Sequence, residues 1–298
     1  MEIDRLRDDD APLVAADSAA AGAAEIAPDG LDAAEVTGTD EADEPGGRDG
    51  RDERATARAE YPAKVEDAAR EYWRTTAHPA FKGEWTDYVK DHPEPPKAPA
   101  NVDEAAADTV RLGCREIRET EDKIVTPAMR RIEAEDPDRH LTGLEFRCKR
   151  EDRIMEKVAT ALEEQPDLAP EEALASVKDT IRYTFQYTEE HYTEGVLADV
   201  TRLKTAGFEQ VDLRNSWATE EYKGINSRWR VPGNGHLFEV QFHTQISFEA
   251  KQLTHPAYER VRDPSTSKAE QDELGDFQRR VNVYVPEPRG ARSVEDYP

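Results

Sequence analysis

Hydrophobic residues recur every three or four positions in several stretches after residue 100, and this spacing predicts helices. Val110, Cys114 and Ile117 form such a stripe within 103–134, where Pro127 is a candidate break. Further helices are predicted over 150–164, from Pro170 to about 177, and over 193–206, 245–262 and 266–280.

Strict alternation of apolar and polar residues replaces this spacing in shorter segments and indicates β-strands. Strands are predicted over 180–188, 209–217, 225–232 and 236–244, the last two forming a hairpin around a Gly-Asn-Gly turn. Helices, one strand, a helix, three strands and further helices follow one another along the chain. This order predicts an α+β fold with a mixed, largely antiparallel sheet flanked by helices.

The first 60 residues have no sustained apolar period and carry 18 Asp and Glu against 6 Lys and Arg. Such a segment cannot bury enough apolar surface to offset its chain entropy, so we predict a disordered acidic N-terminal segment. The aromatic residues that follow predict a helix that docks on another part of the chain. We therefore divide the chain into a disordered segment (1–60), a helical and proline-rich linker (61–99), a main domain (100–290) and a tail (291–298).

The net charge of −25 argues against a general duplex-DNA binder, which needs a basic surface. No apolar run approaches the roughly 20 residues that span a bilayer, and the N-terminus lacks the pattern of a signal peptide. Cys114 and Cys148 are predicted to be free thiols. We expect a soluble, cytoplasmic protein without membrane contact, while export by a non-classical route stays open.

A group of basic residues lies around the start of the helix predicted over 150–164. Lys149, Arg153 and Lys157 are spaced at i, i+4 and i+8, which would place them on one helical face, and Arg147 precedes them. Like charges at this spacing repel each other, and a bound polyphosphate would relieve the repulsion. The same pattern also fits a solvated face paired with neighbouring acidic residues.

Polar side chains also mark two of the predicted strands. Glu239, Gln241 and His243 alternate with apolar residues and fall on one face, which suits ligand binding but also fits a solvated face. Asp179 stands at the entry of the strand over 180–188, where a site carboxylate or a simple turn residue would fit.

A third candidate is the stretch around Gly224, where Tyr222 and Lys223 precede a strand containing Asn226. An aromatic ring beside a lysine and a glycine suits a nucleobase with a nearby phosphate, although a turn leading into a strand fits as well. Because stacking uses the ring and not the hydroxyl, Tyr222→Phe is expected to be nearly silent.

Taken in order, these pieces resemble the synthetase domain of the RelA/SpoT family of alarmone synthetases over about 140–262. The matching stretches are Arg147, Lys149 and Lys157; Asp179-Thr180-Ile181-Arg182; Tyr222-Lys223-Gly224-Ile225-Asn226; Glu239-Val240-Gln241-Phe242-His243-Thr244; and Ala250, His255 and Tyr258. Each stretch alone is a weak signal, whereas five in the family's order are a specific one. The resemblance is closest to an actinobacterial and phage branch of secreted or toxin-like nucleotide 3′-pyrophosphokinases.

The resemblance implies an enzyme that moves pyrophosphate from ATP to the 3′-hydroxyl of a guanine or adenine nucleotide, giving AMP and (p)ppGpp- or (p)ppApp-like products. It implies that Asp179 and Glu239 are catalytic and hold Mg²⁺, with Glu239 also accepting the hydroxyl proton. It implies that Arg147 stacks on adenine. The other implied contacts are Lys149, Arg153 and Lys157 for ATP, and Tyr222, Lys223, Asn226, Gln241 and His243 for the acceptor or phosphates.

Three positions depart from the family's pattern and leave the choice of acceptor open. Arg153 stands where Ser is common, Glu221 where Gly often precedes the Tyr, and His243 where long alarmone synthetases have Arg. Two other functions stay open: a toxin that pyrophosphorylates the 3′ end of tRNA, and a catalytically inactive nucleotide sensor. A toxin would add an antitoxin or immunity protein as a partner, but the acidic chain disfavours RNA as a substrate.

Overall fold

The computed structural model describes residues 67–93, 102–263 and 265–297. The predicted disordered segment (1–60) and the proline-rich part of the linker lie outside these residues. The helices are α1 (His78–Asp91), preceded by a π-helical turn (Trp73–Ala77), α2 (Glu104–Thr120), α3 (Thr126–Ala134), α4 (Glu151–Glu164), α5 (Pro170–Ala175), α6 (Tyr192–Thr205), α7 (Gln245–Val261) and α8 (Lys268–Asn282). Among the described residues, no helix is long and apolar enough to cross a membrane.

One sheet organises the part of the chain that the structure describes. Its strands are β1 (Arg139–Thr142), β2 (Arg182–Tyr187), β3 (Glu209–Asn215), β4 (Ile225–Arg230) and β5 (Leu237–Thr244), in the spatial order β1-β2-β5-β4-β3. β2 and β5 pair in parallel, and the other neighbouring pairs are antiparallel. The predicted α+β fold with a mixed, largely antiparallel sheet is therefore confirmed. β1 was not predicted, because four residues are too few to show an alternation.

The two faces of this sheet differ in polarity, as the alternation along β2 and β5 predicts. Residues on one face are almost fully buried and form the main core: Tyr183, Phe185 and Tyr187 from β2, and Phe238, Val240 and Phe242 from β5. The core face is tied to α6, since the Tyr192 hydroxyl donates to the Phe242 carbonyl at 2.8 Å. The opposite face carries the polar residues of both strands, and the candidate site is built on it.

A wide π-helical turn (Glu121–Val125) joins α2 to α3, so the helical path runs on without a break. A proline inside an α-helix removes a donor and clashes with the carbonyl four residues earlier. Pro127 falls in the first turn of α3, and the wider turn before it leaves room for its ring. The predicted break at Pro127 is thus replaced by a change in helical pitch. The same turn contains Glu121, which is buried.

A second, smaller core lies between α2, α4 and α5. Val110, Cys114, Ile154 and Val158 are buried there. α2 approaches α5 so closely at Gly113 that an added Cβ would lie 2.2 Å from a Leu174 methyl group. Both cysteines of the described chain are free, as predicted.

The aromatic segment before residue 93 packs on the main domain. Trp73 is almost fully buried, and its indole N–H donates to Glu249 Oε2 at 2.7 Å. The Trp85 ring lies 5.7 Å from that of Phe277, and the Tyr88 hydroxyl donates to Glu270 at 2.8 Å. The docking expected from the aromatic density therefore occurs. The described residues from Ala69 onward form one compact unit, on both sides of the sequence boundary drawn near residue 100.

A buried ion pair fastens β1 to α6, and we predict that the fold depends on it. Arg139 donates to both Asp199 carboxylate oxygens, one of them at 2.6 Å, and the Tyr187 hydroxyl donates to Asp199 at 2.7 Å. Both charged side chains are fully buried. Asp199→Asn should lower the free energy of unfolding by about 3–5 kcal/mol, because it leaves a buried guanidinium without its counter-charge.

Urea unfolding of the two proteins measures this difference. Glu209→Gln serves as the control, since Glu209 forms only an exposed pair with Arg230 and such pairs contribute little. Equal unfolding midpoints for Asp199→Asn and the control would show that the buried pair does not hold β1 in place.

Candidate functional site

The polar face of the sheet brings the predicted β5 residues next to β2. The strand register pairs Glu239 with Arg182 and Gln241 with Thr184. Glu239, Gln241 and His243 are all almost fully buried. This burial does not fit a solvated face, because polar groups are buried only where partners satisfy them.

Asp179 lies immediately before β2 and collects three cationic side chains. It accepts from Lys157 Nζ at 3.1 Å and from Arg182 Nη2 at 3.0 Å, and it forms an ion pair with Lys149. Arg182 also donates through Nε to Glu239 at 2.6 Å. The two predicted metal ligands are therefore joined through one guanidinium, to which the sequence analysis gave no role.

The contacts continue from Glu239 along β5 to α7. Gln241 donates to Glu239 Oε1 at 2.8 Å, and Lys251 of α7 donates to Gln241 Oε1. We call this connected group the charged cluster: Lys149, Lys157, Asp179, Arg182, Glu239, Gln241 and Lys251. It holds four cationic side chains against two carboxylates, so it favours an anion although the chain as a whole is acidic.

Burial and charge compete at the centre of this cluster. Burial by itself would raise the pKa of Asp179, but Lys149, Arg182 and Lys157 together hold that pKa well below its ordinary value. Burial lowers the pKa of the Lys149 amine in spite of the attraction of Asp179. Asp179 is therefore ionised near neutral pH, as a ligand for a hard cation must be.

Two backbone hydrogen bonds place the Arg147–Lys149 segment beside the start of β2. The Arg182 amide donates to the Arg147 carbonyl at 2.8 Å, and the Lys149 amide donates to the Thr180 carbonyl at 2.9 Å. α4 begins only at Glu151, so Lys149 lies before the helix and not on its face. Lys149 thus reaches Asp179 through this strand-like pairing rather than through helical spacing.

Because Lys149 lies before α4, Arg153 does not share a helical face with it, and Arg153 does not join the charged cluster. Its guanidinium contacts Glu156 at 2.7 Å and Glu259 of α7 at 3.7 Å. Lys157, one turn further along α4, does reach Asp179. The predicted basic set is therefore divided in the structure.

Arg147 is held by Glu121, a residue that the sequence analysis missed. Arg147 Nε donates to Glu121 Oε1 at 2.8 Å, and the Tyr183 hydroxyl donates to the same oxygen at 2.8 Å. Glu121 is buried, whereas the Arg147 side chain is 42% exposed and faces solvent beside the cluster. Glu121 lies four residues after Ile117, where the apolar stripe of α2 continues into the π-helical turn. An acidic residue on a buried stripe was the available signal.

Tyr222, Asn226 and His243 form a second connected group. The Tyr222 hydroxyl donates to Asn226 Oδ1 at 2.8 Å and lies 2.9 Å from His243 Nε2. His243 Nδ1 lies 2.9 Å from the Ser247 hydroxyl. An added Cβ at Gly224 would lie 2.6 Å from His243 Cε1, so only glycine fits above the imidazole. The structure therefore places His243 beneath Tyr222, where it supports the ring.

The charge state of His243 follows from its position. The side chain is fully buried, and burial, followed by the nearby Lys251 amine, lowers its pKa well below the ordinary value. Because the Tyr222 hydroxyl donates to Asn226, a neutral imidazole bonds to Tyr222 by donating its Nε2–H group, and Nδ1 is then an acceptor. His243 then acts on the Tyr222 ring and has no solvent-facing atom for a phosphate.

Lys223 points away from both groups. Its amine donates to the Trp217 carbonyl at 3.0 Å and to the Thr219 carbonyl at 2.5 Å, which closes the preceding loop. The structure does not bring Lys223 to the predicted acceptor residues.

The carboxylates of the charged cluster set the type of metal that would fit. Within the described residues, no group of three or more His, Cys, Asp or Glu side chains is arranged to hold a metal ion. Asp179 and Glu239 both contact Arg182, so they flank one position on the sheet. Mg²⁺ needs only one or two carboxylates and keeps several waters, so this oxygen donor set fits it.

No family model matches the sequence, nor does any curated protein. The chain is similar to solved structures, and three of them are as follows. For small alarmone synthetase 1 from Bacillus subtilis the identity is 15%, over 59% of this chain and 86% of the other, with a TM-score of 0.37. For a GTP pyrophosphokinase family protein from Streptococcus pneumoniae the identity is 13%, over 67% of this chain and 88% of the other, with a TM-score of 0.35. For the complex of the Type VI effector Tas1 with its immunity protein the identity is 16%, over 63% of this chain and 99% of the other, with a TM-score of 0.33.

The names of the first two structures agree with the RelA/SpoT resemblance of the motifs. With identities of 16% or less and TM-scores below 0.5, these likenesses say nothing about what this chain binds or does. A function for the chain therefore rests on the site's own residues and contacts.

Proposed function

We propose that the chain transfers the pyrophosphoryl group of ATP to the 3′-hydroxyl of a nucleotide. The observation that carries this proposal is the buried arrangement in which Arg182 joins Asp179 to Glu239, with Lys149 and Lys157 on the same carboxylate. Transfer of phosphoryl groups depends mainly on positioning and on neutralisation of charge. A cluster with two carboxylates for a metal and a surplus of cations for phosphates supports both requirements.

Asp179 and Glu239 would hold Mg²⁺. When bound, that ion supplies positive charge to the phosphate oxygens of ATP. Lys149 and Lys157 would bind the triphosphate from the side of α4, and their present contacts with Asp179 hold them ready there. Arg182 would move from the carboxylates to the phosphates when ATP enters, since phosphate competes well for a guanidinium.

The proposed step is an attack on the β-phosphorus of ATP. The acceptor's 3′-oxygen attacks the β-phosphorus of ATP, and the bond from that phosphorus to the oxygen bridging to the α-phosphorus breaks. AMP leaves with the bridging oxygen, and Glu239 accepts the proton of the attacking hydroxyl. Both Glu239 oxygens are engaged in this structure, one by Arg182 and one by Gln241, so the release of Arg182 would also free the base.

The Tyr222 ring would be the platform for the acceptor base. It is held through its hydroxyl by Asn226 and His243, and a rigid ring binds a planar base with little loss of entropy. Both guanine and adenine nucleotides fit this chemistry. The acidic chain offers little of the extended basic surface that a tRNA would need.

Incubation with γ-labelled ATP, magnesium and one acceptor at a time tests the proposal. The acceptors are AMP, GMP, GDP, GTP and tRNA, and products are separated by chromatography. We expect a labelled nucleotide with two added phosphates and an equal amount of AMP. Label found only in free phosphate or pyrophosphate, with every acceptor, would contradict a transferase, and label found in tRNA alone would replace the nucleotide by RNA as acceptor.

A further inference from the structure

A pocket of about 350 Å³ lies beside the loop that carries Tyr222, away from the charged cluster. It is formed by this loop, by the end of α8 and by the segment 283–292 that follows α8. Three of its lining side chains are cationic, one from each of these parts of the chain: Lys223, Arg279 and Arg292. The net charge of the chain is −25, so three cations around one pocket are a local exception.

Lys223 brings a half-buried ammonium group to this pocket. Its hydrogen bonds go to two neutral groups, the carbonyls of Trp217 and Thr219. Burial, followed by the nearby Arg292 guanidinium, lowers the pKa of this amine in spite of the carboxylates around it. An ammonium group has three donors, so one remains for a ligand beside these two contacts. An anion bound there would also relieve the repulsion between Lys223 and Arg292.

Each of the two arginines at the pocket already has carboxylate partners. Arg292 contacts Glu287 at 2.7 Å, and Arg279 contacts Glu221 at 3.3 Å and Asp276 at 3.5 Å. Both guanidinium groups are partly exposed. A guanidinium has five N–H donors, so these partners leave donors for a further anion.

Two valines give the pocket an apolar side. Val283 and Val285 follow directly after α8, and Val283 is 79% exposed, whereas Val285 is buried. The volume falls at the low end of the roughly 300–1,000 Å³ of sites for small molecules. Cations for one anionic group and valines for a short carbon chain match a small organic anion.

Tyr222 links this pocket to the candidate site, because both of its neighbours in the chain are held at the pocket. Glu221 pairs with Arg279, and its carbonyl accepts from Asn282 Nδ2 at 2.7 Å. Lys223 lines the pocket directly. The Tyr222 ring, between these two residues, belongs to the second connected group of the site. A ligand in the pocket therefore acts on the segment that carries the ring.

We propose that this pocket binds a small organic anion through one phosphate or carboxylate group, and that the bound anion holds the Tyr222 segment in place. The anion would bridge Lys223, Arg279 and Arg292, and so connect the loop to α8 and to the segment after it. A ligand favours a conformation by as much as it prefers that conformation, so an anion that prefers the ordered loop strengthens acceptor binding. The effect on the acceptor rests on the proposed function, whereas the binding of the anion does not.

Thermal unfolding with butyl phosphate and with pentanoate tests the pocket, because these probes carry a butyl chain on a phosphate and on a carboxylate. We expect at least one probe to raise the melting temperature in a saturable way, since it binds the folded chain. The probe with the lower half-saturation concentration identifies the preferred anionic group. Sodium chloride at equal ionic strength is the control for general salt effects. If neither probe raises the melting temperature beyond this control, the pocket is not an anion site.

Arg279→Gln and Arg292→Gln locate the binding. Each variant loses a charged donor to the anion, so the half-saturation concentration should rise roughly tenfold or more. Arg230→Gln is the matched control, because Arg230 forms an exposed pair with Glu209 on the sheet and should respond as wild type does. An unchanged half-saturation concentration in both pocket variants overturns the proposal, since the anion would then bind elsewhere, as at the charged cluster.

Steady-state kinetics with and without the saturating probe test the link to Tyr222. The KM for the acceptor should fall roughly fivefold or more, and the KM for ATP should stay the same. This fall should occur in Arg230→Gln and be lost in Arg292→Gln. An acceptor KM that a bound probe leaves unchanged overturns the link. Saturable binding at the pocket without transfer to any acceptor would contradict the proposed function and support the anion site alone.

Discussion

Glu239→Gln is expected to lower the turnover number by two to three orders of magnitude while the chain stays folded. The amide keeps the size of the side chain, but it removes a charge from the proposed metal site and the proposed acceptor of the hydroxyl proton. A metal-ion contribution of several kcal/mol corresponds to a loss of this size, at about 1.4 kcal/mol per tenfold change in rate. The rate is measured at saturating ATP, acceptor and magnesium.

Asp179→Asn is expected to cause a similar loss, and it needs a test of folding beside the rate. Its neutral amide would face Lys149, Lys157 and Arg182, so the melting temperature should fall as well. Circular dichroism separates unfolded protein from folded, inactive protein. Glu209→Gln is again the matched control, and a variant of either site carboxylate that keeps most activity would remove that residue from the mechanism.

Tyr222→Ala is expected to raise the KM for the acceptor roughly 5- to 150-fold and to leave the KM for ATP nearly unchanged. Stacking of a base on an aromatic ring contributes about 1–3 kcal/mol, and the contacts proposed for ATP lie elsewhere on the sheet. Equal changes in both Michaelis constants would show that the ring serves the whole site and not the acceptor alone.

The structure changes what is expected of Tyr222→Phe. The sequence suggested a nearly silent change, but the hydroxyl bonds to Asn226 and to the buried His243. Without it, the buried imidazole loses a partner, which costs about 1–3 kcal/mol of stability. We expect Tyr222→Phe to melt earlier than wild type and to raise the acceptor KM less than Tyr222→Ala does. A Phe variant with the original melting temperature would mean that this hydrogen bond is not maintained in solution.

Local patterns in the sequence predicted those features that depend on a single strand or a single segment of the chain. Alternation along β5 placed Glu239 and Gln241 on one face, and the structure adds that this face is buried. The aromatic density before residue 93 predicted a docked helix, and Trp73 lies in the main core. These features depend on periods of two or about 3.6 residues, which a sequence displays directly.

The residues that were missed depend on which segments meet in space. Arg182 bridges both carboxylates only because β2 pairs in parallel with β5, and no local period reveals a partner 57 residues away. Glu121 was missed for the same reason, since its surroundings turn it into the protein beside Arg147. Lys223 was predicted at the site, but its surroundings turn it into a loop. The alternation along one strand predicts on which face of the sheet a side chain lies, but it does not predict which residue of another strand lies beside it.

The central position of β5 in the sheet has a consequence for how the chain acquires its site. β2 cannot complete its pairing until residues 237–244 have been synthesised and inserted between it and β4. Parallel pairing across a long connection forms slowly, because the entropy of closing the loop is lost before the contacts form. A nascent chain that ends before β5 therefore holds Asp179 without Glu239. We expect such a chain to be unable to consume ATP while it is still being translated.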